Sequence, residues 1–431
     1  MGGGGNLVKP AAAKSALFAL CLTLLLSSPA TAHASPFGTC NPCDQVASNP
    51  CDGLDRCSPK AGQWFLNGHL EAGFFANAHG QKSTYGELDV EFDGVFGPPR
   101  AANFCSGNTE LLQNTRLTGG QVNQVYLSMG KAVDGRRGLD IGGTIDFTWG
   151  VDAYKVQSDG LEINAKNPTG WGTGDYYAAF AQAYAEVEWG KWNVIAGKFY
   201  APFGSSSYKS TDNFFYTWAP TKTIAPTTGT GAYATYSVNK DFALIGGWAM
   251  ADSVGRYEGY RCDVGLGGIS WKAGNRLSLL YTFAVGEMTE KGSDDFTELF
   301  VHTFLANYQI SKKLKYTFDW TLLNANTHDR EEETSFYVTA WGLNNELVYQ
   351  YNKKWAFGAR FGVLCHDILD ADWYNVSLGA NWTPNKWLTV KPEVRYDWAH
   401  GPYKNAFDPD SNGLGTKSHQ FSGGLSAVVK F

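Results

Sequence analysis

The residues able to do chemistry fall into three groups, and only the largest is placed by a pattern. Asp140, Asp146, Asp152, Glu186, Glu188, Lys198, Lys315, Asp319, Glu346, Arg360, Lys391, Glu393, Arg395 and Asp397 sit among apolar neighbours, most of them at alternate positions. Charges at every second residue share one face of an extended strand, so they offer an ionic surface and not a catalytic cluster. Acids dominate 140–188, while bases intermingle from Lys315 onward. Facing one another across water, such walls would set up a transverse field favouring small polar solutes. The structural alternative is that the charges pair in ladders that brace the wall.

The second group is Cys40, Cys43, Cys51 and Cys57, set among Asn, Pro, Asp and Gly. In an exported chain these read as two small disulfides bracing a coreless segment, with three connectivities open. Metal binding and a redox role are the lesser readings, since no metal or catalytic partners accompany the group. The third is Asp408, Asp410 and Asn412 ahead of Gly413, oxygen ligands at alternate positions as in a calcium loop. His419 stands where that loop needs a bidentate Glu, so an Asx- and Gly-rich turn is preferred and no cofactor is expected. The remaining histidines are dispersed, and no Gly-x-Ser-x-Gly element precedes a helical pattern. The chain is therefore expected not to be an enzyme; a hydrolase built across barrel strands is the least favoured reading.

The elements that must carry the charges are strands. In 374–398, Tyr374, Val376, Leu378, Ala380 and Trp382 alternate on one limb and Leu388, Val390, Pro392, Val394, Tyr396 and Trp398 on the next, separated only by 383–387. One face wants hydrocarbon and the other wants water. A membrane barrel with a wet interior meets both demands and leaves no unpaired edge in lipid. The same reading extends to about sixteen antiparallel strands, within a range of 14 to 18, from Trp64 to Phe431. Connections alternate long and short, the long ones at 77–120, 153–176, 200–228, 251–262, 287–297, 324–337, 366–372 and 399–419. Trp189, Trp192, Trp271, Trp355, Trp382 and Trp387 cluster beside the short turns as an aromatic girdle would. A secreted sandwich or adhesin would also alternate, but requires neither the regular spacing nor the terminal Phe431 in phase with the apolar face.

Ahead of the strands, Lys9 and Lys14 precede the apolar stretch 16–26 and Ala32-His33-Ala34, which reads as a signal peptide over 1–34. Residues 35–63 are then a Cys-rich periplasmic lead and 64–431 the barrel. Without the two leader lysines, 33 basic face 41 acidic residues, which argues against a nucleic-acid partner and for mild cation preference. The segment Lys198 to Trp218, with Pro202, Phe214, Phe215, Tyr216 and Trp218, leaves the shortest strand and enters one of the longest loops. Rings so dense are costly to leave in water, so the loop is expected to fold inward and set the constriction, unless it rests on the rim or on a neighbouring subunit.

The run Gly197-Lys198-Phe199-Tyr200-Ala201-Pro202-Phe203-Gly204, with Asn213-Phe214-Phe215-Tyr216 and Pro226-Thr227-Thr228-Gly229, resembles the segment that marks the Putative beta-barrel porin-2, OmpL-like family. The cysteine-rich lead is similar to that of members from planctomycete-type bacteria. Family members commonly have an acid soon after Pro-x-Gly, whereas Ser205-Ser206-Ser207 stands here, so any role of that acid does not transfer. The resemblance implies an integral outer-membrane porin passing small hydrophilic solutes or ions by passive diffusion. A closed structural or adhesin-type barrel is the alternative. The partners implied are outer-membrane lipid, the outer-membrane assembly machinery, small polar solutes and further copies of the chain, as a homotrimer or other homo-oligomer.

Overall fold

The computed structural model describes residues 61–78, 119–135, 138–164, 167, 170–174, 176–250, 260–290, 296–329, 334–367, 371–402, 404–405, 407–409 and 415–431. Among these, sixteen strands close one antiparallel barrel, to which the two-residue strand Gly172–Thr173 adds a short pairing with Tyr176 and Tyr177. They are β1 (Trp64–Asn77), β2 (Gly119–Lys131), β3 (Asp140–Gly150), β4 (Tyr176–Trp189), β5 (Trp192–Tyr200), β6 (Thr228–Ser237), β7 (Phe242–Ala249) and β8 (Tyr260–Ala273). There follow β9 (Leu277–Glu290), β10 (Phe296–Ser311), β11 (Leu314–Asp329), β12 (Thr334–Gln350), β13 (Trp355–His366), β14 (Ala371–Trp382), β15 (Leu388–His400) and β16 (His419–Lys430). Each pairs with its neighbours in sequence, and β1 pairs with both β2 and β16. At the seam Gly68 and Phe431 exchange backbone hydrogen bonds of 2.9 and 3.0 Å.

The period of two explains the two surfaces. Outward residues include Ile141, Ile145, Leu378, Val394, Tyr396 and Phe421, all exposed large apolar side chains that only hydrocarbon can cover favourably. The six girdle tryptophans are also exposed, beside the tight turns. The alternate set, among it Asp146, Asp319, Asn344, Arg360, Arg395 and Asp397, is buried inside. No described helix is long and apolar enough to cross a membrane.

Two expectations need correction. Strands β9 to β12 run beyond the expected ends, and the connections 287–297 and 324–337 contract to 291–295 and 330–333. Asn324, Asn326 and His328 hid this extension, because they are polar yet still occupy ladder positions opposite Phe300, Glu298 and Phe296. β3 stops at Gly150, and Val151–Val156 forms a 3-10 turn, so Val151 is buried instead of facing outward and Asp152 is not a strand residue. Gly150 makes this break available: its φ of 145° suits glycine, and a Cβ there would lie 2.1 Å from the Asn123 carbonyl oxygen. Residues 1–60 and 79–118, including the proposed signal segment, the four-cysteine cluster, Cys105 and the suggested arm at 85–93, lie outside the described residues. So do Asp410 and Asn412, and of Asp408 only the backbone is described. Cys262 and Cys365 are buried.

Candidate functional site: the loop across the bore

The segment 201–227, between β5 and β6, lies inside the barrel and is tied to strands on widely separated arcs of it. Its start is set by sequence: Pro202 has no N–H to continue a ladder, and Gly204 turns the chain at φ +73°. Thr282 of β9 donates to the Pro202 carbonyl at 2.7 Å. Asp319 of β11 then accepts from the Ser205 N–H and hydroxyl, both at 2.8 Å, and from the Thr221 hydroxyl at 2.9 Å. One buried carboxylate thus holds both shoulders of the loop.

The middle of the loop reaches the other side of the ring. Gln124 of β2 donates to the Tyr208 carbonyl at 2.7 Å and accepts from the Ser210 N–H at 3.2 Å. Lys209 meets Asp146 of β3 at 3.1 Å. Lys391 of β15 donates to the carbonyls of Ser210 and Asn213, each at 2.6 Å. Thr217 gives its N–H and hydroxyl to Glu393 at 2.8 and 2.7 Å, while Arg360 donates to its carbonyl at 2.7 Å. Arg360 and Glu393 are themselves paired at 3.0 Å, and Arg395 pairs with Asp397 at 2.7 Å. These buried charges therefore satisfy one another and the loop backbone, the condition under which buried charge is tolerable.

Glycines on the wall receive the loop's rings. A Cβ at Gly358 of β13 would lie 2.3 Å from the Phe214 ring, one at Gly379 of β14 3.1 Å from Phe215, and one at Gly424 of β16 2.6 Å from Tyr216. Phe215 also lies under the Arg360 guanidinium, 4.5 Å from it, and Trp218 packs against Tyr208. Tyr208, Phe215, Tyr216 and Trp218 are all buried. Burial of this aromatic area is the apolar part of the docking, alongside the polar ties.

The remaining sequence-derived positions lie elsewhere on the wall. Asp140 pairs with Lys131, and Glu188 accepts from the Gly135 N–H at 3.0 Å, both beside the tight turn 132–139. Glu186 accepts from Asn193 at 2.7 Å. Asp146 is a hub receiving Tyr126 at 2.5 Å, Gln182 at 2.6 Å and Ser128. Lys315 lies four residues before Asp319 on β11, and Glu346 accepts from Asn344 at 3.1 Å on β12. Lys198 is instead covered: it donates to the Val156 carbonyl at 2.6 Å and lies 3.6 Å from Glu162.

That covering segment, 151–164, is a second inward fold that the pattern did not reveal. Glu162 pins it by accepting from the N–H groups of Ser158 and Phe180, both at 2.8 Å. Asp152 accepts from Gln124 at 3.1 Å; burial, with the nearby charge of Glu71 adding to it, pushes its carboxyl well above the ordinary range. A second unforeseen feature is an apolar stretch of inner wall toward the long-loop rim, including Val264, Leu299, Val301, Leu323, Val338 and Leu364. Its signal was present where both phases are apolar, as in Leu299-Phe300-Val301 and Leu322-Leu323.

A closed sixteen-strand barrel with an inward loop and apolar outer belt defines an integral outer-membrane porin. The family model for Putative beta-barrel porin-2, OmpL-like matches residues 84–431, and the chain belongs to that family. Solved structures of similar fold include the outer membrane channel DcaP of Acinetobacter baumannii, at 13% identity and TM-score 0.55, covering 87% of this chain and 99% of that one. An anion-selective porin from Comamonas acidovorans matches at 11% identity and TM-score 0.54, covering 86% and 99%. OmpT of Vibrio cholerae, in its trimer form, matches at 12% identity and TM-score 0.51, covering 86% and 100%. At such identities the likeness is one of fold. No curated protein sequence matches the chain.

Proposed function

We propose that the protein is a passive diffusion channel for small hydrophilic solutes, with its narrowest section set by the loop 201–227, and that it carries out no catalysis. The observation that carries this reading is the tying of one loop to β9 and β11 on one side of the ring and to β2 and β3 on the other, with β13 and β15 holding it along the arc between. A loop so held divides the cross-section and leaves solute only the space beside it. The same charges serve the non-enzymatic reading, because Asp319, Arg360 and Glu393 are consumed in holding backbone and hydroxyl groups. Among the described residues no group of three His, Cys, Asp or Glu could hold a metal ion. One solved neighbour is a trimer form, and a homo-oligomer is the assembly proposed here, inserted by the outer-membrane assembly machinery and testable by cross-linking in detergent.

The test is planar-bilayer recording of the purified, detergent-folded protein and of a variant lacking 205–218. Discrete steps in KCl, larger in the deletion variant, are the expected result. A wild type that never conducts would overturn the channel in favour of a closed structural barrel. Equal steps in both, with loss of oligomers, would make the loop an intersubunit latch.

A further inference from the structure

The exposure of the inner wall shows on which side of the loop 201–227 a solute travels. Where the loop is tied down the lumenal side chains are sealed: Gln124, Asp319, Arg360, Glu393 and Arg395 are 0–3% exposed. On β4 to β10 the lumenal face is still reachable from the bore, since Glu186, Asn193, Tyr233, Leu266, Leu280 and Leu305 are only half-buried. Their neighbours in the opposite phase, such as Ala232, Ile269 and Val285, are the ones turned to lipid, so the exposed surface of these six belongs to the lumen. The passage therefore borders this arc.

Four of the six are apolar or aromatic, which a lumen that only has to pass water does not require. Glu186, Ile195, Tyr233, Gly247 and Leu266 are successive register partners across β4 to β8 and form one lateral row. Ala284 of β9 continues the row, and four residues back along that strand, about 13 Å, stands Leu280 with its partner Leu305 beside Asp319. The loop shoulder sits against this strip: Ala201 packs on the same apolar cluster as Tyr233 and Leu266, and Thr282, between Leu280 and Ala284, holds the Pro202 carbonyl at 2.7 Å. The apolar surface thus lies where the loop narrows the bore. Its charge is acidic. Glu186 opens the row, and Glu188 is the next lumenal position of β4, also half-buried. Of the lysines on β5 and β8, Lys198 is covered by 151–164 and Lys272 stands at the turn end, while Lys315 of β11 has Glu346 as a diagonal neighbour on β12. An apolar wall is answered by a ring, a carboxylate by a cation, and the face of a tyrosine ring attracts a cation as well.

We propose that the strip of Tyr233, Leu266, Leu280 and Leu305, with Glu186 at its edge, is the solute-facing wall of the passage and favours small organic cations that carry an aromatic ring. It rests on the channel reading above and adds a substrate class to it. The ring slides along the leucines and Tyr233 while the cationic group keeps to the Glu186 side.

The test is the reversal potential of the purified protein in planar bilayers with phenyltrimethylammonium chloride, or choline chloride, opposed to KCl. Choline is the smaller ion and carries the same permanent charge, so size alone favours it. The wild type should nonetheless pass phenyltrimethylammonium about fivefold more readily, because covering about 40 Å² of ring at about 25 cal/mol per Å² is worth a factor of about five. Tyr233→Ser with Leu266→Asn should bring the two ions to parity; Leu280→Thr with Leu305→Thr, a milder pair, should narrow the gap; and Glu186→Gln should lower both ions alike. Folding of each variant is read from heat-modifiable migration. If the wild type conducts KCl but passes the two cations equally, or carries its current by chloride alone, the proposal fails while the channel stands; the wild-type comparison decides this if no variant folds. A folded Tyr233→Ser, Leu266→Asn channel that keeps the full preference also overturns it. Absence of KCl conductance would remove the channel and the strip together.

Discussion

Replacing Glu393 by Ala removes the carboxylate that receives the Thr217 N–H at 2.8 Å, its hydroxyl at 2.7 Å and the Arg360 guanidinium at 3.0 Å. Both charged partners are about 1% exposed, so water does not reach Arg360 to compensate for the loss. Breaking a buried pair from one side costs about 3–5 kcal/mol, because the surviving charge is left unpaired. The Thr217 ties form a second cluster, four residues before the Thr221 contact to Asp319 and on different strands, so part of that cost falls on docking. At 1.4 kcal/mol per factor of ten, the lower figure shifts the docked-to-released ratio about a hundredfold. Single-channel recordings should then show an added higher-conductance level, and limited proteolysis should cut within 205–218. Thr217→Ala should give a smaller effect, and the double variant less than the sum, since both act on one cluster. A Glu393→Ala channel with wild-type conductance and protease resistance would refute the claim that this cluster holds the loop.

Gly358→Val should also release the loop tip, by steric collision with Phe214 in place of lost hydrogen bonds, and raise conductance while the barrel still folds; unchanged conductance would mean that Phe214 repacks freely. Glu186→Gln with Glu188→Gln should reduce cation preference more at low than at high salt, measured as reversal potential across a KCl gradient, because screening weakens exposed fields; no shift would take both acids off the ion path. The Asp152 carboxyl, raised by burial, stabilises the docked segment 151–164 fully below the ordinary carboxylate value of about 4, and this contribution is lost as pH rises through its own higher value. Amide exchange in 151–164 should accordingly speed up from about pH 4 toward neutrality, beyond its intrinsic pH dependence, and Asp152→Asn should flatten the change; identical profiles would remove Asp152 as the cause.

What could be read from sequence followed from the membrane itself. Because lipid and water make opposite demands on consecutive residues, Trp320 and Asp319, or Tyr396 and Arg395, declare their faces without any tertiary knowledge. The inward fold of the loop was legible for a related reason, since Phe214, Phe215, Tyr216 and Trp218 crowd a long connection that carries no strand of its own. Its partners were not, because Asp319, Arg360 and Glu393 lie far from Thr217 and Ser205 in sequence and no local period connects them. The same limit hid the 151–164 fold: Glu162 bonds to Phe180 across a chain reversal, and the strand phase that placed Asp152 ends at Gly150. The apolar inner wall was not legible because alternation fades there: Val301 and Leu323 are as apolar as their neighbours Phe300 and Leu322, so no polar residue marks the lumenal phase.

The ties from Thr282, Asp319 and Arg360 to one part of the loop, and from Gln124 and Asp146 to another, also have a mechanical meaning. A hollow sixteen-stranded cylinder can flatten into an oval under lateral pressure from the bilayer without breaking a single ladder bond. A chord fastened to opposing arcs fixes one diameter, so ovalisation must stretch charged hydrogen bonds before it can proceed. The loop that crosses the bore is thereby also its tie-rod, and anything that detaches it changes the stiffness of the wall.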